Sequence, residues 1–236
     1  MMINELADEQ FLAQYDSREY EKPSVAVDLL IFTIEDDELK ILLVERKASP
    51  FVGRLSLPGV FVGIHESLED AVKRGLLDKA GLGNIYFEQL YTWGEVDRDP
   101  RMRIISVSYL ALVPKEELYT CDQLGDIRRH LFSVKDILNE EKDDAIAFDH
   151  KKMIHYGRER IKNKVAYTSI AFQFLPEKFT LPDLQKIYEI LLDKKLYKAN
   201  FRKKIKELVS ETDEYTTGQM HRPSKIYTRS PQKIEN

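Results

Sequence analysis

Two long apolar runs dominate the first part of the chain. SVAVDLLIFTI and LKILLVER are rich in Val, Ile and Leu and flank the polar turn EDDE, which predicts paired strands, the second ending on a charged rim. Ahead of them, Ile3, Leu6, Ala7, Phe11 and Tyr15 recur near helical spacing, predicting a helical arm over residues 1–21 that Pro23 brings to an end. A short strand, VFV, is expected at 60–62, followed by a helix from Leu68 to Ala80. The ends of that helix are written locally: Ser67 and Asp70 have capping-box spacing, and Gly81 stands where a left-handed C-cap is needed. IYFEQLYTWGE and RIISVSYLALVP read as two further strands joined by the polar VDRDPRM. Strands alternating with one well-marked helix predict an α/β unit over residues 22–145, a mixed sheet covered by helices.

Past the acidic run NEEKDD the pattern becomes helical, and residues 146–230 are expected to form a second unit, with 231–236 as a tail. FDHKKMIHYGRERIKNKV sets Met153, Ile154 and Ile161 on a basic background and is expected to be a linker helix. LPDLQKIYEILL places Leu184, Ile187, Tyr188 and Leu191 at i, i+3, i+4 and i+7. After the turn DKKLYK, ANFRKKIKEL places Phe201, Ile205 and Leu208 at i, i+4 and i+7. LVSET and KIYTRS, on either side of a polar loop containing Gly218, are expected to pair as a hairpin. There is no internal repeat.

Composition narrows the class. With 236 residues, 43% hydrophobic and 32% charged, the chain is of soluble globular type. A net charge of −4 neither recruits nor repels nucleic acid globally, so any such contact needs a local patch. The single Cys121 excludes an intrachain disulfide framework and fits a reducing compartment. The start MMINELADEQ is acidic and lacks the features of a secretory signal. The longest apolar stretch, VAVDLLIF, is broken by Asp28 and too short to span a bilayer. A cytoplasmic protein without a membrane partner is expected.

The local patch exists. From Lys194 to Leu208 there are seven basic residues against one acidic. In ANFRKKIKEL, Arg202, Lys203 and Lys206 project opposite the apolar face, with Lys198 and Asn200 at its start, and the hairpin adds His221, Arg222 and Lys225. A helix, a turn, a basic helix and a hairpin describe a winged helix-turn-helix, whose second helix enters the major groove while the wing grips the backbone. Double-stranded operator DNA is the expected partner.

The stretch PGVFVGIHESLEDAVKRGLLDKAGL resembles the Nudix box. Glu66 matches its first glutamate, Arg74 follows at the required interval, and Gly81 and Leu82 close it. Val60 stands in place of the starting glycine, and Gly75, Asp78 and Lys79 in place of the three catalytic glutamates. Nudix hydrolases cut pyrophosphates with Mg²⁺ or Mn²⁺, hard cations that require oxygen ligands. Positions 75, 78 and 79 share one helix face, so three carboxylates there would converge on a metal. Lys79 puts a positive charge there instead, and at about 4 Å from a divalent ion the repulsion is on the order of several kcal/mol at an effective dielectric of 20. No catalytic residue, metal site or cofactor is therefore expected. The alternative, a Nudix hydrolase using Mg²⁺ at an atypical site, would draw on Asp78, Glu66 and an acid such as Glu95 or Asp97.

FEQLYTWGEVDRDPRMRIISVSY is similar to the corresponding part of Nudix domains acting on ADP-ribose-type molecules. Arg98, Arg101 and Arg103 are expected to hold phosphates or a carboxylate, and Trp93, the single tryptophan, to stack on a base or sugar. NKVAYTSIAFQFLPEKFTLPDLQKIYE, LYKANFRKKI and HRPSKIY resemble the linker and DNA-binding segment of the Nudix-related, NrtR-like transcriptional regulators. The resemblance implies a Nudix-like α/β/α sandwich followed by a winged helix-turn-helix domain. It also implies a homodimer whose degenerate Nudix domain senses an effector: ADP-ribose, a phosphoribosyl compound, or a pentose such as arabinose.

Overall fold

A computed structural model of the chain describes residues 5–119, 129–139, 145–217 and 223–231. The helical arm is present as α1 (Glu5–Gln14), exposed from Asp8 onward. The first unit continues with β1 (Ser24–Glu35), β2 (Glu38–Glu45), β3 (Leu55–Ser56), β4 (Gly59–Phe61), α2 (Leu68–Ala80), β5 (Tyr86–Trp93), β6 (Ile104–Leu112), α3 (Lys115–Tyr119), β7 (Arg129–Ser133), α4 (Val134–Asn139) and α5 (His150–Lys164). The second comprises β8 (Lys178–Thr180), α6 (Leu181–Leu192), α7 (Lys198–Ile205), β9 (Val209–Tyr215) and β10 (Lys225–Arg229). Most of the acidic run 139–144, the hairpin residues His221 and Arg222, and the tail beyond residue 231 lie outside the described residues.

The large sheet runs β3-β2-β1-β6-β5, with β4 also pairing β1 and β7 pairing β2. β1 and β6 are parallel and the other pairings antiparallel, so the sheet is mixed. β1 is buried on both faces, which is why it reads as a continuous apolar run without alternation. Its Val27, Leu29 and Ile31 face α2, packing with Ala71, Val72, Leu76 and Ala80. Leu30 and Phe32 face the other way, into a core shared with Met153, Ile154 and Ile161 of α5. The helix expected as a linker thus forms the second outer layer of an α/β/α sandwich. Gly157 makes the close approach possible, since a Cβ there would lie 2.7 Å from Leu30 Cδ2 and 3.2 Å from Phe32.

The helix ends follow from local chemistry. Ser67 and Asp70 form a reciprocal capping box on α2, and Gly81, at φ 65°, closes it with N–H bonds to Leu76 and Leu77 carbonyls. Thr180 and Asp183 cap α6 in the same way, with Pro182 in its first turn. In the second unit β8, β10 and β9 form a three-stranded sheet. α7 is held to α6 by Phe201 and Ile205, with the Phe201 ring 5.4 Å from that of Tyr188.

Candidate functional site

The Nudix-like box keeps its Glu66–Arg74 frame, with Gly75, Asp78 and Lys79 at the positions of the three box glutamates. Glu66 Oε1 accepts from the Gly63 N–H at 2.6 Å and from Arg74 Nη2 at 2.6 Å, and Oε2 accepts from Arg74 Nε at 3.1 Å. Arg74 Nη2 also donates to the Phe61 carbonyl at 2.9 Å. The Arg74 hydrogen bonds and the Gly63 amide pull the Glu66 carboxyl down to about 2. Glu66 and Arg74 therefore form a clamp between loop and helix. Asp78 is exposed and Lys79 partly so.

Gly75 is buried, and an ideal Cβ on it would lie 3.1 Å from Leu29 Cδ1 and 3.3 Å from Val60 Cγ2. The two departures from the box are therefore complementary: the side chain present at 60 fills the space vacated at 75. Among the described residues no group of three or more His, Cys, Asp or Glu side chains gathers in a way that could hold a metal ion.

Beside the box lies a row of arginines and phenylalanines. Arg54 sits over the Phe51 ring at 5.1 Å, and Phe51 meets Phe148 edge-on at 5.0 Å. Phe148 lies under Arg46 at 4.7 Å and Arg101 at 5.6 Å, and Arg101 also reaches Phe61, at the end of β4, at 6.0 Å. Phe51 and Phe148 have φ of 66° and 57°, a left-handed region costly for bulky residues. Such strain persists where surrounding contacts over-determine it, and it clusters at binding sites. The loop carrying Phe51 is tied back by Arg46, whose Nε donates to the Pro50 carbonyl at 2.7 Å. Burial and the adjacent Arg101 hold the Arg46 guanidinium below its ordinary pKa. Guanidiniums crowded in this way favour an anion between them.

A buried charge network supports the row. Arg98, 4% exposed, donates to both oxygens of Asp149 at 3.0 and 2.7 Å and lies 3.6 Å from Asp28. Asp28 Oδ2 accepts from the Ser106 hydroxyl at 2.5 Å. His150 Nδ1 accepts from the Leu57 N–H at 3.0 Å, so a neutral ring carries its proton on Nε2, 3.8 Å from Asp28 Oδ1. Burial, the largest influence, pushes the His150 pKa down against the pull of Asp28 and Asp149.

Of the expected effector residues, Arg101 lies in the row, held by Asp99 at 2.7 and 3.0 Å. Arg98 is beneath it, engaged by carboxylates. Arg103 is exposed and donates to the Glu95 carbonyl at 2.9 Å. Trp93 packs elsewhere, with Tyr91 and Tyr156 at 5.0 and 5.9 Å, and donates to Ser108 Oγ at 2.9 Å. Arg46, Phe51, Arg54, Phe61 and Phe148 escaped the sequence reading. Two arginines around a Pro-Phe-x-Gly turn are a local signal, but nothing in the pattern joins them to Phe148.

In the second unit α6, the turn and α7 form the helix-turn-helix. Lys198, Asn200, Arg202 and Lys203 are exposed on α7, as is Lys206 just beyond it. A groove of about 420 Å³ between α6 and the start of α7 is rimmed by Lys186, Lys195, Lys198 and Arg202. Lys225 lies on β10 and pairs with Glu211 at 2.5 Å. A basic reading helix beside a three-stranded wing has the geometry to dock on duplex DNA.

Residues 22–156 match the NUDIX domain, and residues 171–228 match the NrtR DNA-binding winged helix domain. The chain is 33% identical over 231 residues to the ADPR responsive transcriptional repressor NtrR of Acinetobacter baylyi, covering 96% of this chain and 90% of that protein. It resembles the crystal structure of Shewanella oneidensis NrtR complexed with a 27mer DNA at a TM-score of 0.77 and 34% identity, covering 88% of this chain and 94% of that one. The NUDIX domain of the same Shewanella protein complexed with ADP ribose matches at 0.56 and 35%, over 65% of this chain and 97% of that one. An ADP-ribose pyrophosphatase of Methanocaldococcus jannaschii is 38% identical over 137 residues, 58% of this chain and 74% of that protein. With both domains matched in order and nearly the whole length shared with a regulator, the chain belongs to the NrtR family of Nudix-related transcriptional regulators.

Proposed function

We propose that this chain is a transcriptional repressor that binds a two-fold operator as a homodimer and responds to ADP-ribose. The observation that carries the reading is the pairing of a Nudix box walled by Val60 against Gly75 with a basic winged helix on one chain. The relatives from Acinetobacter and Shewanella support both halves, one being ADPR responsive and the other complexed with DNA and with ADP ribose.

Arg46, Arg54 and Arg101 would hold the diphosphate, with Phe51 or Phe148 against a base or ribose face. α7 would enter the major groove, where Arg202 and Lys203 reach base edges. α5 joins the two units: Asp149, at its start, is gripped by Arg98 under the row, and its end leads into the winged helix. Half-sites one turn apart require reading heads roughly 34 Å apart, so a shift of a few ångströms at α5 would break simultaneous docking.

The match to the Methanocaldococcus enzyme favours a second reading, hydrolysis of ADP-ribose. Gly75 and Lys79 weigh against it. With Mg²⁺ or Mn²⁺, turnover is expected to stay at background, and a kcat of about 1 s⁻¹ or more would sink the regulator-only reading. The direct test selects genomic fragments on purified protein and titrates the recovered operator with and without ADP-ribose, using a phosphoribosyl compound and arabinose as comparisons. A 5- to 150-fold change in operator affinity is the usual scale of such coupling. If ADP-ribose binds and leaves operator affinity unchanged, it is not the signal.

A further inference from the structure

Lys204 lies on α7 among the DNA-facing lysines, yet its contacts run the other way. Its Nζ donates to the Ala166 carbonyl at 3.2 Å, just past the end of α5, and sits 5.1 Å from the ring of the buried Tyr188. A helix turns about 100° per residue, so Lys204 is roughly 160° around α7 from Arg202. It occupies the flank of α7 that faces α6 and the segment following α5.

The wing holds the same segment. Arg229 of β10 donates from Nη2 to Ser169 Oγ at 2.8 Å, and its guanidinium lies 5.8 Å from the Phe172 ring. Both parts of the DNA reader, helix and wing, are therefore fastened to residues 166–172. That segment is itself stiffened against α5, since the Thr168 N–H and hydroxyl both bond to the Lys164 carbonyl at 2.8 Å.

The other end of α5 is anchored in the sensor. Its N-cap Asp149 takes both Arg98 bonds, His150 takes the Leu57 amide, and Phe148 immediately before it belongs to the arginine–phenylalanine row. At 1.5 Å per residue, the 15-residue helix is a rod of about 22 Å.

We propose that Lys204 and Arg229 are positioning residues which lock the recognition helix and the wing to the end of α5, and that through them the sensor sets the orientation of the DNA reader. Neither side chain is there for operator contact. The proposal rests on the reading that an effector in the Nudix domain changes operator affinity.

The experiment measures operator binding by fluorescence anisotropy across a salt series, with and without ADP-ribose, for wild type, K204M, R229Q and K204R. ADP-ribose binding without DNA is followed by calorimetry. The expected result is that K204M and R229Q bind ADP-ribose as wild type does and keep its salt slope, while the effector-induced change in operator affinity falls below about 3-fold, against a wild-type change in the 5- to 150-fold range. K204R, which keeps a donor, is expected to restore most of it. A DNA-contacting role predicts the opposite pattern: the log–log salt slope drops by about one per lost cation while the response to ADP-ribose persists. That pattern overturns the proposal, as does an unchanged response in both variants. If wild type binds ADP-ribose without any change in operator affinity, the sensor reading fails and the lock falls with it. A response in wild type that the variants share removes the lock alone.

Discussion

Putting glutamate back at position 75 is expected to destabilise the protein instead of rebuilding a metal site. A Cβ there is already 3.1 Å from Leu29 Cδ1 and 3.3 Å from Val60 Cγ2, closer than ordinary van der Waals contact. The remaining atoms of a glutamate must displace Val60 or Leu29, and overpacking of this kind typically costs about 1–3 kcal/mol. Replacing a helical glycine returns up to about 1 kcal/mol, while a carboxylate pressed against apolar side chains loses hydration. The net expectation for Gly75→Glu is a loss of about 1–3 kcal/mol. Val60→Gly alone leaves a void and a flexible strand residue, for a loss of about 1–2 kcal/mol. Combined, the two relieve each other, because the glutamate side chain passes where the valine was. The double variant should therefore be more stable than the summed losses predict, by on the order of 1–2 kcal/mol. Urea unfolding followed by far-ultraviolet dichroism and by the fluorescence of the single tryptophan, Trp93, measures all four proteins. Additivity within about 0.5 kcal/mol would refute the idea that positions 60 and 75 share one space.

Three further outcomes are expected. Arg46→Ala and Arg101→Ala should each weaken ADP-ribose binding by calorimetry about 10- to 100-fold, the loss of one or two charge-assisted bonds, with operator affinity in the absence of effector unchanged. Alanine at Arg202, Lys203 and Lys206 together should abolish operator preference in a mobility-shift assay, with single base-reading losses of about 1–3 kcal/mol; unchanged affinity would mean that α7 does not read the groove. Glu66 has its pKa lowered from 4.5 to about 2 by Arg74 and Gly63, so its clamp contributes fully above about pH 4.5 and is lost as pH falls toward 2. The stability difference between wild type and Glu66→Gln should accordingly be flat above pH 4.5 and shrink below it, and a difference independent of pH over that range would remove the clamp.

What the sequence by itself determined is whatever short-range chemistry encodes. α2 could be bounded at Leu68 and Ala80 because Ser67, Asp70 and Gly81 close its ends through bonds spanning a few residues. β1 and β2 were legible as apolar runs, and α6 and α7 as repeats of 3.6, because burial on a sheet or a helix face imposes those periods directly. The box remnants disclosed both the family and its missing carboxylates. β3, β7 and β8, of two to five residues, are too short to show a period and exist because longer strands offer them unpaired edges. Tertiary structure alone decided which chemistry-bearing residues meet. Phe51 and Phe148 are neighbours because the fold sets the loop after β2 beside the start of α5, which packs on the sheet through Gly157. Arg98, exposed by any reading of its loop, is buried because Asp149 arrives from the start of α5 to neutralise it. Val60 and Gly75 look like two separate losses in the box, and they turn out to be one substitution in space. Lys204 belongs to the same basic run as Arg202 in sequence, yet on a helix two residues apart is nearly opposite, and that angle turns Lys204 toward Ala166 and Tyr188 while Arg202 stays on the other side of α7.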